Sequence, residues 1–284
     1  MRDWLRWIAT ELSRHELAYG HGTEDPWDEA AALVTGALHI PPPKLQFVLD
    51  AALTRTERTA LLALVRRRIV FRVPVPYLVG EAWFAGHGYF VDERVLIPRS
   101  PIAELIERRF APWLADAPGW ILDLCTGSGC IGIACALEFP EAEVIVSDID
   151  PGALAVARAN VARHGVDDRV TVTQSDLFAS LPPARFDVIV SNPPYVDDRD
   201  FASLPREYLH EPRAALRGGA DGLALVRRIL AEARPRLAEH GWLVVEVGNS
   251  MSALIDAFPE MPFVWPDFER GAGGVFLLEA ASLS

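Results

Sequence analysis

The sequence predicts an α/β protein: a doubly wound, mostly parallel sheet preceded by a small helical N-terminal domain and a β-hairpin linker. Three observations carry that reading. From Trp120 onward, short β-branched apolar runs alternate with helical stretches, the pattern of a parallel sheet covered by helices. These runs end in polar or glycine-rich residues, where open α/β sheets keep their ligands. Residues 1 to about 72, in contrast, carry apolar side chains at helical spacing.

In that first region Trp4, Leu5, Trp7, Ile8 and Leu12 fall on one helical face, as do Leu45, Val48, Leu49, Ala52 and Leu53. Pro41-Pro42-Pro43 interrupts it and precedes a new helix start. Thr54 caps another helix, with Glu57 three residues on to complete a capping box. The texture changes at Val73-Pro74-Val75-Pro76-Tyr77. From there to Pro98 the pairs Trp83-Phe84, Tyr89-Phe90-Val91 and Val95-Leu96-Ile97 read as short strands around Gly86 and Gly88. The chain therefore divides into a helical domain (1–72), a hairpin linker (73–98) and an α/β domain (99–284). Within the last, Trp120–Leu124, Val144–Ser147, Val170–Thr173, Phe186–Ser191, Trp242–Val247 and Gly274–Glu279 are the expected strands. Helices are expected at 128–138, 151–164 and 221–239.

At 284 residues, half of them apolar, the chain can bury a sizeable core. No apolar run is long enough for a membrane span and Met1-Arg2-Asp3-Trp4 lacks a signal-peptide pattern. Cys125, Cys130 and Cys135 suit neither a disulfide set nor a zinc knuckle, and read as buried thiols of a cytosolic protein. The net charge of −12 is uneven. Residues 1–95 hold 11 basic and 12 acidic side chains, residues 96–284 hold 16 and 27, a net of −11. That acidic part matches a basic protein better than a nucleic acid. Arg66-Arg67-Arg68 is the one basic cluster and reads as a solvated helix face.

The most informative residues are Asn192-Pro193-Pro194-Tyr195, directly after the Phe186–Ser191 strand. Two prolines fix φ and remove N–H groups, so the loop is stiff. It offers a side-chain amide, bare carbonyl oxygens and an aromatic face to one small planar group. The first strand runs into Asp123-Leu124-Cys125-Thr126-Gly127-Ser128-Gly129-Cys130, with glycines that let backbone approach a ligand before a helix N-terminus. Gly127, Gly129 and Gly132 also satisfy the dinucleotide fingerprint, so NAD is the competing cofactor. The second strand ends in Asp148-Ile149-Asp150, placed to meet ribose hydroxyls. The third ends in Gln174-Ser175-Asp176-Leu177-Phe178, with a polar group for the adenine amine and Phe178 for stacking. Each acidic residue alone is more often a cap. Together with Asn-Pro-Pro-Tyr on the fourth strand, they favour S-adenosylmethionine.

These residues closely resemble the HemK-type protein-(glutamine-N5) methyltransferases. The resemblance runs from about Tyr77 to the C-terminus. It includes Tyr77-Leu78-Val79-Gly80, Phe84, Val95-Leu96-Ile97-Pro98-Arg99, the Asp123–Gly129 loop, Asn192–Tyr195 and Phe276-Leu277-Leu278-Glu279. After Pro98-Arg99 the release-factor-modifying branch usually has Pro-Glu-Thr-Glu, whereas this chain has Ser100-Pro101-Ile102-Ala103-Glu104-Leu105. That segment is similar to the PrmB branch, which methylates a glutamine of ribosomal protein L3. His210-Glu211-Pro212 and Gly219-Ala220-Asp221-Gly222-Leu223 fit it too. The resemblance implies a class I methyltransferase domain binding S-adenosylmethionine through Asp123, Thr126, Gly127, Gly129, Asp148, Asp176, Leu177 and Asn192. It also implies a helical domain that helps bind the protein substrate.

The implied mechanism places the Asn192 side-chain oxygen and the Pro193 carbonyl on the two N–H groups of a glutamine amide. Tyr195 packs along the amide plane. Neither metal nor dedicated base is needed, nor any direct contact with nucleic acid. Glutamine methylation of release factors and amino methylation of a nucleic-acid base are the alternatives.

Overall fold

The computed structural model describes residues 1–270 and 273–283. Helices Arg2–Ser13, Pro26–Ala37 and Arg55–Phe71 build the N-terminal part. Asp25 caps the second by accepting the amides of Trp27 and Asp28, with Pro26 at its first position. Thr54 and Glu57 form the expected capping box on the third. Ile8, Leu12, Leu33, Leu61 and Val65 meet in one apolar core.

The linker differs from its sequence reading. Val75–Val79 is a short helix, and Val75 and Leu78 belong to the helical core. The hairpin is confined to β1 (Glu81–Phe84) and β2 (His87–Phe90). Val95-Leu96-Ile97 is not a strand. Its backbone groups bond to remote side chains instead: the Tyr77 hydroxyl donates to the Val95 carbonyl, and the Ile97 amide to Glu211.

The α/β part contains the expected sheet. Its strands are β3 (Trp120–Leu124), β4 (Glu143–Asp148), β5 (Val170–Gln174), β6 (Phe186–Ser191), β9 (Leu237–Glu246) and β10 (Val275–Glu279). A separate small parallel pair, β7 (Val196–Asp197) and β8 (Arg217–Gly219), ties down the chain that follows β6. Spatial order in the main sheet is β10-β9-β6-β3-β4-β5, with only β10 antiparallel. Alternation sorts the core into two layers. Ile121, Val144, Val146, Val188 and Val190 face one set of helices, while Leu122, Leu124, Ile145 and Ile189 face the other.

Strand order reverses beside β3, so a crevice opens at the carboxyl ends of β3 and β6. Leu124 is in register with Ser191, and Cys125 and Asn192 therefore leave the sheet side by side. The helix expected over 221–239 is shorter, Ala224–Ala233. Pro235 ends it in a 3-10 turn, and the strand begins at Leu237, five residues earlier than its apolar run suggested.

Candidate active site

Two cavities meet at this crevice. One, of about 300 Å³, lies over the ends of β3, β4 and β5 and is lined by Thr126, Gly127, Asp148, Asp176 and Leu177. The other, of about 810 Å³, lies between the helical part and the sheet, against Tyr19, Trp83, Tyr195, Tyr208 and Glu246. Asn192 lines both, as do Arg99 and Ser100.

The smaller cavity is shaped by carboxylates that hold backbone. Asp123 is fully buried and lines neither cavity. Its Oδ2 accepts the Thr126 hydroxyl and the Gly132 amide, at 2.9 Å for the latter. It therefore stands behind the loop, not on the wall where the sequence reading put it. Burial pushes its carboxyl up to about 7. Gly132 is needed for the same packing: a Cβ there would lie 2.3 Å from a Val146 methyl. Asp148 is on the wall. Its two oxygens accept the amides of Gly127 (2.9 Å) and Asp150 (3.0 Å), and lone pairs remain for a ligand. Burial raises its pKa. Gly129 closes the loop as the N-cap of helix Cys130–Glu138, in left-handed conformation. Cys125 and Leu177 also have positive φ, at 57° and 49°, a strain that concentrates at functional loops. Asp176 reaches the wall and pairs with Arg228 at 2.9 Å. Phe178 corrects its expectation: it is buried among the sheet's core residues and lines neither cavity, so it offers no stacking face there.

In the loop after β6, the Asn192 side-chain oxygen is buried without a hydrogen-bond partner. Pro193 departs from its expectation: it is buried and lines neither cavity, although no described residue donates to its carbonyl. Tyr195 is fixed from both ends. Its hydroxyl donates to Glu246 at 2.7 Å, and its carbonyl accepts the Ser250 hydroxyl at 2.9 Å. Gly248 makes room for its ring, since a Cβ there would approach within 2.5 Å. The sequence reading missed Glu246. Its signal was present: a lone carboxylate ending the apolar run Trp242–Val245, like the polar ends of the other strands.

The outer wall of the larger cavity depends on buried ion pairs between distant segments. Arg99 makes a two-pronged bond to Glu211 (2.6 and 2.8 Å). Burial alone would raise that carboxyl, but Arg99 and His21 together hold it at about 2. Arg68, expected on a solvated face, is instead completely buried. It bonds Glu29 at 2.8 and 2.9 Å and Glu207 at 3.2 Å. Only Arg66 and Arg67 of that run are exposed. The helical part thus grips segment 204–212, which walls both cavities.

The methyltransferase small domain family matches residues 110–240. A ribosomal protein uL3 glutamine methyltransferase of Francisella tularensis is 46% identical over 98% of this chain and 89% of its own. One of Bordetella pertussis is 47% identical over 100% of this chain and 96% of its own. Among solved structures, the hMettl16 catalytic domain superposes with a TM-score of 0.52 at 16% identity, covering 87% of this chain and 89% of that one. That last likeness is one of fold.

Proposed function

The chain belongs to the ribosomal protein uL3 glutamine methyltransferase family, and we propose on that premise that it methylates the side-chain amide nitrogen of a glutamine in uL3. The methyl donor in this reading is S-adenosylmethionine, whose sulfonium supplies an electrophilic methyl group. The smaller cavity fits such a group. Asp148 retains lone pairs for ribose hydroxyls, Gly127 presents open backbone with nothing near its Cα side, and Asp176 and Leu177 border the far end. Thr126 and Gly129 hold the loop in place.

The observation that carries the reading is the unpartnered Asn192 oxygen where the two cavities meet. A buried acceptor left unpaired costs about 1–3 kcal/mol, and an arriving amide N–H recovers that cost. A glutamine nitrogen is a poor nucleophile because its lone pair is delocalised into the carbonyl. The Asn192 oxygen accepts one of its N–H groups and helps fix the amide plane so that the lone pair faces the methyl group. Tyr195, held at both ends, limits motion of that plane. Positioning and exclusion of water supply most of the rate. The methylated nitrogen is strongly acidic, so its proton leaves to solvent without a dedicated base.

In the same reading residues 1–72 help bind the protein substrate, the hairpin linker (73–98) joins them to the methyltransferase domain (99–284), and the reaction takes place in the cytoplasm without nucleic acid. The test offers purified uL3 and a class-one release factor side by side with methyl-labelled cofactor, then maps the modified residue by mass spectrometry. Label on a uL3 glutamine is expected. Label on the release factor alone would reassign the substrate, and label on RNA alone would overturn the chemistry.

A further inference from the structure

Glu246 is a buried sheet carboxylate that faces a cavity and that the fold alone does not explain. It ends β9, one strand from β6, and is buried on the wall of the larger cavity. Among the described residues no cation pairs with it. Arg99, the nearest positive charge, is committed to Glu211. Its partners are two hydroxyls: Tyr195 at 2.7 Å and Ser100 at 2.5 Å. A buried charge without a counter-ion is costly, and an apolar or amide side chain of the same size would serve the fold as well or better.

We propose that Glu246 is a positioning residue for the methyl transfer, acting as a carboxylate through Tyr195 and anchored by Ser100. The inference rests on the glutamine-methyltransferase reading and adds a residue to it. Methyl transfer breaks the carbon–sulfur bond and forms the carbon–nitrogen bond. One positive charge thereby passes from sulfur to the glutamine nitrogen before the N–H proton leaves. A fixed negative charge on the substrate side favours that passage, because it needs no reorganisation as the charge arrives. A phenol that donates to a carboxylate is held by a short, charge-assisted bond, so the ring that limits the amide's motion cannot swing.

Burial raises the Glu246 carboxyl, and Arg99, Tyr195 and Ser100 are the charged and polar groups around it. The wild-type kcat therefore rises with pH as the carboxylate forms. The experiment measures kcat, KM and cofactor affinity for Glu246→Gln, Tyr195→Phe and the double variant with uL3 as substrate. Glu246→Gln is expected to lower kcat by about tenfold to a hundredfold and leave cofactor affinity within about twofold. It should also lose the acid limb of the pH profile. The double variant should be no worse than the poorer single one, because both act through one bond. Fully additive losses, or a Glu246→Gln kcat within about twofold of wild type, would overturn the proposal. Should Glu246→Gln fail to fold, Ser100→Ala keeps the charge and removes one anchor. A lower kcat at unchanged cofactor affinity is then expected, and an unchanged kcat would overturn the proposal. A wild-type protein inactive on uL3 would instead refute the functional reading itself.

Discussion

One side of the smaller cavity is built from three successive strand-end loops between residues 125 and 177, whose carboxylates bond to nearby backbone amides, and residues 94–100, 192–194 and 212–228 complete its lining. The larger cavity gathers residues from Tyr19 to Gly273, and its wall is held by carboxylates paired with arginines up to 139 residues away. The strand-end side of the first is local, so glycine and polar positions announce it in the sequence. The second depends on which segments the fold brings together, and no spacing rule encodes that. The same contrast predicts that the two cavities respond differently to mutation and to acid.

The largest expected effect falls on the non-local side. Arg68→Met leaves Glu29 buried without its cation and Glu207 with only the more distant Arg72, at 3.4 Å, which should destabilise the protein by about 3–5 kcal/mol in chemical denaturation. Cofactor affinity of the protein that remains native, measured by calorimetry, should change little. A parallel fall in cofactor affinity would show that the two cavities are not separable.

Next is the residue they share. Asn192→Ala should cut kcat by about a hundredfold to a thousandfold, the range for removing one positioned hydrogen-bonding group. Cofactor affinity should remain near wild type, because its bonds form to the substrate amide and tighten in the transition state. Steady-state kinetics beside calorimetry checks both. On the local side, Asp148→Ala should weaken cofactor binding by about 1.5–3 kcal/mol and leave thermal stability of the helical part unaffected.

Acid should act on the two regions with opposite sign. Glu211 sits at about 2 in the fold against an ordinary 4.5, so the native state binds fewer protons there. Its contribution is complete above about 4.5 and is lost as pH falls toward 2. Asp123 sits at about 7 against an ordinary 3.8, so the native state binds more protons. Its contribution is complete below 3.8 and is lost as pH rises through 7. Denaturation series at several pH values should therefore lose the acid limb in Glu211→Gln, while Asp123→Asn should flatten the decline between about pH 4 and 7. Coincident curves for the variants and wild type would contradict this assignment.

Much of the fold was legible because buried parallel strands are short apolar runs with polar ends. Trp120–Leu124 and Phe186–Ser191 begin and end where those runs do. Elements governed by remote partners were not. Val95–Ile97 looks like a strand but satisfies its backbone on Tyr77 and Glu211. Arg68 looks solvated beside Arg66 and Arg67, yet its helix face turns toward Glu29 and Glu207. Phe178 follows a strand-end motif but faces the core. Asp123 and Asp148 carry the same residue type at successive strand ends, and only burial separates the one behind the loop from the one on the wall. Asn192 and Tyr195, in contrast, stood out because two prolines fix where their side chains go.

A crystal structure with S-adenosylhomocysteine and a uL3 peptide containing the target glutamine tests the account most directly. The nucleoside is expected in the smaller cavity and the glutamine in the larger one, its amide nitrogen within hydrogen-bond distance of the Asn192 oxygen. A peptide seated elsewhere, with that oxygen still unpartnered, would contradict it.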